Sequence, residues 1–77
     1  MNQKVIKGEE IFQVLAHSMT IGYSSSGYTL NYSSDGTNFT AWSDATSANE
    51  VCIVNDFAKG TYFKLAGNTD NNVIITF

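Results

Sequence analysis

The sequence predicts an all-β fold, a small single-domain antiparallel β-sandwich of Ig-like or jelly-roll-like type with about seven or eight short strands. Short runs of alternating apolar and polar residues are separated by polar turn segments, at intervals of about 8–12 residues. No longer stretch has the apolar spacing of an amphipathic helix. At 77 residues, the whole range 1–77 is expected to form one domain.

The individual strands are predicted from the turn signals between them. Gly8 with its neighbouring glutamates separates the first two strands. The segment after Gly8 is interpreted as a strand rather than a helical turn because Ile11, Phe12 and Val14 favour β-structure. A Ser-Ser-Ser-Gly run, an Asp-Gly turn and three further polar loops, including 43–49, give the remaining breaks. The predicted strands are 5–7, 11–16, 19–23, 28–33, 38–42, 51–55, 62–66 and 73–77.

The segment 28–42 carries the strongest local signal, because Asp35-Gly36 separates two runs rich in aromatic residues. Asp-Gly between alternating apolar runs is typical of a β-hairpin turn. The hairpin fixes the fold class, and its turn chemistry accounts for Asp35 without catalysis or a bound ion.

Two registers of this hairpin give different faces. A two-residue turn pairs Tyr32 with Phe39 and directs Trp42 to the other side of the sheet. A three-residue turn with a left-handed Gly36 sets Tyr28 opposite Trp42 and moves Phe39 outward. The two-residue turn is favoured because it pairs two aromatic residues and buries more apolar area.

A domain of this size has a thin core, with roughly 60% of the extended-chain surface buried, and the sequence offers no internal staple. Cys52 is the only cysteine, so no internal disulfide forms. A neighbouring chain is therefore expected as a source of stability. The terminal strand 73–77 is predicted either as an inner strand or as an edge that contacts a partner, with Val73, Ile75 and Phe77 as the contact residues.

The charge balance argues against several partners. The net charge is −3, and the basic residues are four lysines without an arginine, so nucleic-acid binding is not expected. The N-terminal segment lacks an apolar signal core, and no apolar run reaches transmembrane length, so neither export nor membrane association is expected.

Catalysis and metal binding have little support. His17, the only histidine, and Cys52, in an apolar run, are best explained as a strand-end residue and a small buried hydrophobe. The aspartates fall in loops without the spacing of a calcium site. We therefore expect a protein that is not an enzyme and that holds no cofactor and no metal.

Aromatic side chains provide the one binding chemistry with sufficient material. Tyr23 and Trp42 form a platform for sugar rings if both face outward on a common surface. The alternative is that most aromatic residues fill the thin core. A carbohydrate-binding or adhesion module of a larger assembly is accordingly the second functional hypothesis.

Three features in order carry a resemblance that covers about residues 4–77: Lys7-Gly8-Glu9, the Tyr-Ser-Ser-Asp-Gly hairpin of 32–36, and the segment 59–68 before a short terminal strand. Their order resembles small β-sandwich virion proteins of tailed bacteriophages, including the crAss-like group. Such domains serve as capsid auxiliary, decoration or fibre-base components. The hairpin itself is also similar to those of discoidin-like and fibronectin-like modules.

The resemblance implies a role without transferring any functional residue. It implies a structural virion protein that binds the capsid or neighbouring virion subunits by surface complementarity, with a homo-oligomer as a further form of assembly. Its location would be the virion, assembled in the host cytoplasm.

Overall fold

Eight antiparallel strands without a helix make up the part of the protein that the computed structural model describes, residues 1–42 and 46–77. All-β architecture is thereby confirmed, and the predicted strand ends differ from the observed ones by no more than two residues. Residues 43–45 of the predicted loop 43–49 lie outside the described residues. The strands are β1 Gln3–Ile6, β2 Phe12–Val14, β3 Ser18–Ile21, β4 Thr29–Ser33, β5 Thr40–Ala41, β6 Cys52–Asn55, β7 Thr61–Ala66 and β8 Val73–Thr76.

The strands form two four-stranded sheets with the strand order of a jelly roll. The first sheet, called sheet A, has the order β1-β8-β3-β6, and the second, sheet B, has the order β2-β7-β4-β5. Only β4 and β5 are consecutive strands paired within one sheet; every other connection between the described strands crosses from one sheet to the other. The single hairpin of the fold therefore coincides with the Asp35-Gly36 signal.

The core lies between the inner faces of the two sheets, and the alternation of inward and outward side chains that builds it is clearest in β7. In β7, Phe63 and Leu65 are fully buried, whereas Tyr62 and Lys64 point to the outer face of sheet B. The buried apolar residues are Ile6, Phe12, Val14, Met19, Ile21, Tyr28, Leu30, Val54, Phe57, Phe63, Leu65, Val73 and Ile75.

The register of the β4–β5 hairpin differs from both predicted registers. Tyr32 lies opposite Thr40, so the turn is longer than either predicted turn, and the favoured pairing of Tyr32 with Phe39 is wrong. The face assignment of the alternative register is nevertheless found. The Trp42 amide donates to the Leu30 carbonyl over 2.8 Å, and the Trp42 side chain packs against the core. The Phe39 ring lies on the outer face, under the Lys64 ammonium.

The longer turn is organised by the Asp35 carboxylate. Its Oδ1 accepts from the Thr37 and Asn38 amides at 2.8 and 2.9 Å and from the Ser33 hydroxyl at 2.7 Å. The Ser33 Oγ in turn accepts from the Gly36 amide at 2.9 Å. Because this network satisfies the amides of residues 36–38, it stabilises a turn longer than the common two-residue type.

The hydrogen bonds to the Asp35 carboxylate should make the free energy of unfolding depend on pH in the acidic range. The amide of Asn38, then the Ser33 hydroxyl and the Thr37 amide, hold the pKa of the Asp35 carboxyl well below its ordinary range. Because the pKa is lower in the folded state than in the unfolded state, the ionised carboxylate stabilises the fold at pH values above the unfolded-state pKa. This stabilisation is lost as the pH falls from the unfolded-state pKa towards the folded-state pKa. We expect Asp35→Asn to be less stable than wild type at pH 7 in urea unfolding, and the difference to shrink below about pH 4.

The matched control for this prediction is Glu50→Gln, because Glu50 is exposed and makes no hydrogen bond among the described side chains. Its stability difference from wild type should be small at neutral pH. A stability gap for Asp35→Asn that stays constant between pH 7 and about pH 2 would contradict the role of the ionised carboxylate.

The terminal strand β8 is an inner strand of sheet A, paired with β1 on one side and β3 on the other. Val73 and Ile75 are fully buried, so their predicted role in partner contact is wrong for this fold. Strand alternation turns the residue between them, Ile74, outward instead. Of the three predicted contact residues, Phe77 alone keeps part of its surface exposed.

Asn68, in the loop after β7, is 4% exposed and joins three loops at one end of the sandwich. Its Oδ1 accepts from the hydroxyls of Ser24 and Ser26 at 2.8 and 3.0 Å. Its Nδ2 donates to the carbonyls of Gly8 and Asp70 at 2.9 and 3.0 Å. One carboxamide therefore connects the β1–β2, β3–β4 and β7–β8 loops.

Candidate functional site

A half-open groove of about 350 Å³ lies where the β4–β5 hairpin, the loop after β6 and the first residue of β7 come together. Since β5 is only two residues long, sheet B does not cover the core completely here. The groove is formed by the end of β4, the hairpin, Trp42 and the loop after β6. Its lining residues are Tyr32, Ser33, Ser34, Asn38, Thr40, Trp42, Asp56, Phe57, Ala58 and Thr61.

The apolar wall of the groove is an aromatic cluster centred on Trp42. The indole makes edge contacts with Tyr32, Phe57 and Phe63 at centroid distances of 5.1, 6.3 and 6.2 Å. Phe57 and Phe63 are buried and pack against the indole on its core side. Trp42 and Tyr32 line the groove and are partly exposed. Perpendicular aromatic contacts of this kind favour a fixed ring orientation.

The 56–58 loop is positioned by backbone contacts. The His17 Nδ1–H donates to the Phe57 carbonyl over 2.9 Å, and the Thr61 amide donates to the Ala58 carbonyl over 3.1 Å. Asp56 has a left-handed backbone with φ of 65°, a conformation that aspartate adopts more readily than most residues. Asp56 and Phe57 are among the residues that line the groove.

The polar rim of the groove carries donors and acceptors but little charge. Asn38 donates its Nδ2 to the Asp35 carboxylate over 3.0 Å, which leaves its Oδ1 as an acceptor. Ser34, Thr40 and Asp56 have no side-chain hydrogen bond within residues 1–42 and 46–77. Asp56 is the one residue of a type charged at neutral pH among the described lining residues, so these residues make the groove mildly acidic.

The structure does not bring the predicted platform residues together. Trp42 lines the groove, whereas Tyr23 follows β3 at the opposite end of the sandwich, where its side chain is 68% exposed. Asn38, Asp56 and Phe57 were missed by the sequence analysis as groove residues. Their only local signal was turn chemistry, because the contact joins two segments whose connection crosses between the sheets.

A second surface feature is the outer face of sheet A. Val5 on β1 lies directly opposite Ile74 on β8, and both side chains are about half exposed, at 53 and 45%. Ile53 on β6 lies opposite Thr20 and is 68% exposed. The outward positions of sheet A, including the adjoining Gly22 and Val51, carry no charged residue in the described chain: Gln3, Val5, Ser18, Thr20, Gly22, Val51, Ile53, Asn55, Ile74 and Thr76.

The sheet A face is not flat. A shallow depression of about 240 Å³ lies beside Ile53 and Thr76, and Met1 and Phe77 form part of its wall. Gly22 lies close against the backbone of β8, because a Cβ at this position would meet the Ile74 carbonyl oxygen at 3.1 Å. The face therefore combines protruding aliphatic side chains with one recess.

The groups suited to nucleophilic chemistry lie apart. His17 precedes β3, whereas Cys52 pairs with Ile21 at the far end of the same strand. Cys52 is half-buried against the core, next to the Tyr28 hydroxyl. The residues that the structure describes contain no group of three His, Cys, Asp or Glu side chains able to hold a metal ion.

The Tyr28 hydroxyl is buried and has no hydrogen-bond partner among the described residues. Burial, followed by the nearby Cys52 thiol, raises the pKa of Tyr28 to about 12. The phenol is therefore neutral at physiological pH, and its position in the core gives it a packing role.

Within the described residues, no helix is long and apolar enough to cross a membrane.

The strand order of the two sheets defines the described chain as a small jelly-roll β-sandwich. Comparison with protein-family models, with curated proteins and with solved structures found no match to it.

Proposed function

We propose that the chain is a structural virion subunit, a capsid auxiliary, decoration or fibre-base component, that docks on the capsid or a neighbouring virion subunit through the outer face of sheet A. The observation that supports this proposal is the uncharged outer face, with Val5, Ile53 and Ile74 exposed. Single exposed apolar residues are normal on protein surfaces, but a sheet face without charge is typical of an interface core.

The distribution of charge supports the same surface. Among the described residues, the lysines and acidic residues lie in loops, on sheet B or at the inner-facing end of β1. A partner that covers sheet A therefore does not have to desolvate a charged side chain, which would be costly. The remaining surface keeps the net negative charge that favours solubility of the free chain.

The shape of the face also suits a specific contact. The depression beside Ile53 offers a recess for a protruding side chain of the partner. Docking would also add stability to a domain with a thin core.

The class of partner is taken from the resemblance of residues 4–77 to small virion proteins of tailed phages. Jelly rolls are common in viral capsid domains but also in lectins, so the fold alone assigns no function. In the expected assembly, many copies of the chain dock at equivalent positions around a shell. Neighbouring copies could then also contact each other as a homo-oligomer.

The proposal is tested with lysine substitutions on the sheet A face. We expect Ile53→Lys and Ile74→Lys to lose co-sedimentation with purified capsids, with affinity weakened at least about tenfold, because each places a charge at the centre of an apolar contact. Ala41→Lys is the matched control, since Ala41 is exposed on the outer side of sheet B. Circular dichroism should show the wild-type fold for all three variants.

Two results would contradict this proposal. One is a stable monomer with no affinity for capsids or capsomers. The other is equal binding by Ile53→Lys, Ile74→Lys and Ala41→Lys, which would place the contact on a different surface.

A further inference from the structure

The Trp42 groove is separate from the proposed docking face. Its described lining residues come from the hairpin, the loop after β6 and the start of β7, and none of them is an outward residue of sheet A. A partner that covers sheet A therefore leaves the groove accessible to solvent. Its volume of about 350 Å³ falls in the range of about 300–1,000 Å³ that is usual for small-molecule sites.

The composition of the groove restricts the ligand to a narrow chemical class. The lining holds an aromatic wall of Trp42, Tyr32 and Phe57 and a rim of hydroxyl, carboxamide and carboxylate groups. The described lining residues include no lysine, and the one charged side chain among them, Asp56, is negative, so phosphates and carboxylates are disfavoured. An aromatic surface beside several hydrogen-bonding groups suits a ligand with one apolar face and many hydroxyls.

A pyranose ring has this combination, because its axial C–H bonds form an apolar face and its equatorial hydroxyls surround the ring. Stacking of that face on an indole requires a fixed aromatic ring with one accessible side. The three edge contacts fix the indole of Trp42, which lines the groove and keeps part of its surface exposed.

The rim groups match the hydroxyls of such a ring. The Asp56 carboxylate and the Asn38 Oδ1 accept hydrogen bonds, and the Thr40 hydroxyl both donates and accepts. Asn38 is held by the Asp35 network and Asp56 by the ordered 56–58 loop, so these groups are positioned before a ligand arrives. Preorganisation of this kind reduces the entropic cost of binding.

We propose that the Trp42 groove binds the pyranose ring of a neutral sugar, stacked on the indole of Trp42, with its hydroxyls bound by Asp56, Asn38 and Thr40. The groove is shallow and open, so a single sugar ring should bind weakly, with a dissociation constant on the order of 1 mM. In an assembly, repeated copies of the groove would strengthen attachment to a glycan-coated surface by avidity.

The fluorescence of Trp42 provides a direct test, because Trp42 is the only tryptophan of the chain. The full chain is titrated with the methyl glycosides of glucose, galactose, mannose and N-acetylglucosamine. We expect at least one glycoside to shift the emission saturably and to protect the indole from quenching by acrylamide. Inorganic phosphate and tetramethylammonium chloride should produce neither effect.

Two conservative variants separate binding from folding. Asp56→Asn keeps a residue that tolerates the left-handed backbone, and Thr40→Val removes only a hydroxyl. Each should weaken the responding glycoside about fivefold or more, as expected for the loss of a hydrogen bond. Thr37→Val is the matched control, because Thr37 lies in the same hairpin but outside the groove. It should bind like wild type.

Several outcomes would overturn the sugar site. The first is the absence of a saturable response to all four glycosides. The second is a response that Asp56→Asn and Thr40→Val leave unchanged. A saturable response to tetramethylammonium alone would assign the groove to cations instead. Ile53→Lys should leave the glycoside titration unaltered, so failure of the docking proposal and failure of this one are distinguishable.

Discussion

Replacement of Phe63 by alanine is expected to leave the isolated chain largely unfolded at room temperature. Phe63 is fully buried in the middle of β7 and contacts the rings of Phe12, Phe57 and Trp42. Truncation of a buried phenylalanine costs about 3–5 kcal/mol through lost burial and the cavity that remains. A single core in a domain of this size rarely supplies more than about 3–5 kcal/mol.

Urea unfolding followed by circular dichroism and by Trp42 emission measures this effect. Tyr23→Ala is the control, since Tyr23 is 68% exposed and its loss should change the free energy of unfolding by no more than about 0.5 kcal/mol. Phe63→Leu, which keeps most of the buried volume, should fall between the two. A cooperative transition for Phe63→Ala within about 1 kcal/mol of wild type would mean that the two sheets do not pack around this ring.

Replacement of Asn68 by alanine is the substitution with the second largest expected effect. It removes the five hydrogen bonds of the Asn68 carboxamide, to the hydroxyls of Ser24 and Ser26 and to the backbones of Gly8 and Asp70. The Ser24 side chain is 1% exposed, so solvent does not replace its lost acceptor. Each buried polar group left unpaired costs about 1–3 kcal/mol, and we expect a total loss of about 2–4 kcal/mol.

The matched control is Asn72→Ala, because the Asn72 side chain is exposed and its backbone amide keeps the bond to Asp70. A third variant, Asn68→Asp, preserves size and acceptors but loses the two donors to the carbonyls of Gly8 and Asp70. It should therefore be destabilised as well. Equal urea midpoints for Asn68→Ala and Asn72→Ala would show that the three loops hold together without the carboxamide.

The strands were predictable from the sequence because alternation is a local property. Each strand of the fold carries its own pattern of inward and outward residues, as in β7. The order of the strands was not predictable in the same way, since all connections between the described strands except β4–β5 cross between the sheets. Crossing connections have no turn signal comparable to Asp35-Gly36.

The errors at the hairpin and at β8 have physical causes. The turn was predicted too short because Asp35 was treated as a residue of a tight turn, whereas its carboxylate binds amides that belong to a longer one. In β8, the apolar run 73–75 gave no indication of which face is buried. The structure buries Val73 and Ile75 and exposes Ile74, which moves the proposed contact surface by one residue.

The groove was only half predictable. Trp42 was predicted as a candidate platform residue because large amphipathic side chains are suited to ligand contact, and the structure places it in the groove lining. Its neighbours Asp56 and Phe57 were not recognised, since they follow β6 in the other sheet and approach Trp42 only after the sandwich has closed.

The pairing of β1 with β8 has a consequence for the kinetics of folding. β1 has a single sheet neighbour, and that neighbour is the last strand of the chain; the amide of Asn2 and the carbonyl of Phe77 complete the pair beyond the strand ends. Pairing β1 with β8 closes a loop that contains all the strands between them, and closing this loop has a large entropic cost before any contact forms. Jelly rolls of this kind therefore belong to the slow class of small domains, which fold in about milliseconds to seconds. During that interval sheet A is not yet formed. Its aliphatic side chains are then exposed to contact with other unfolded chains, which promotes aggregation.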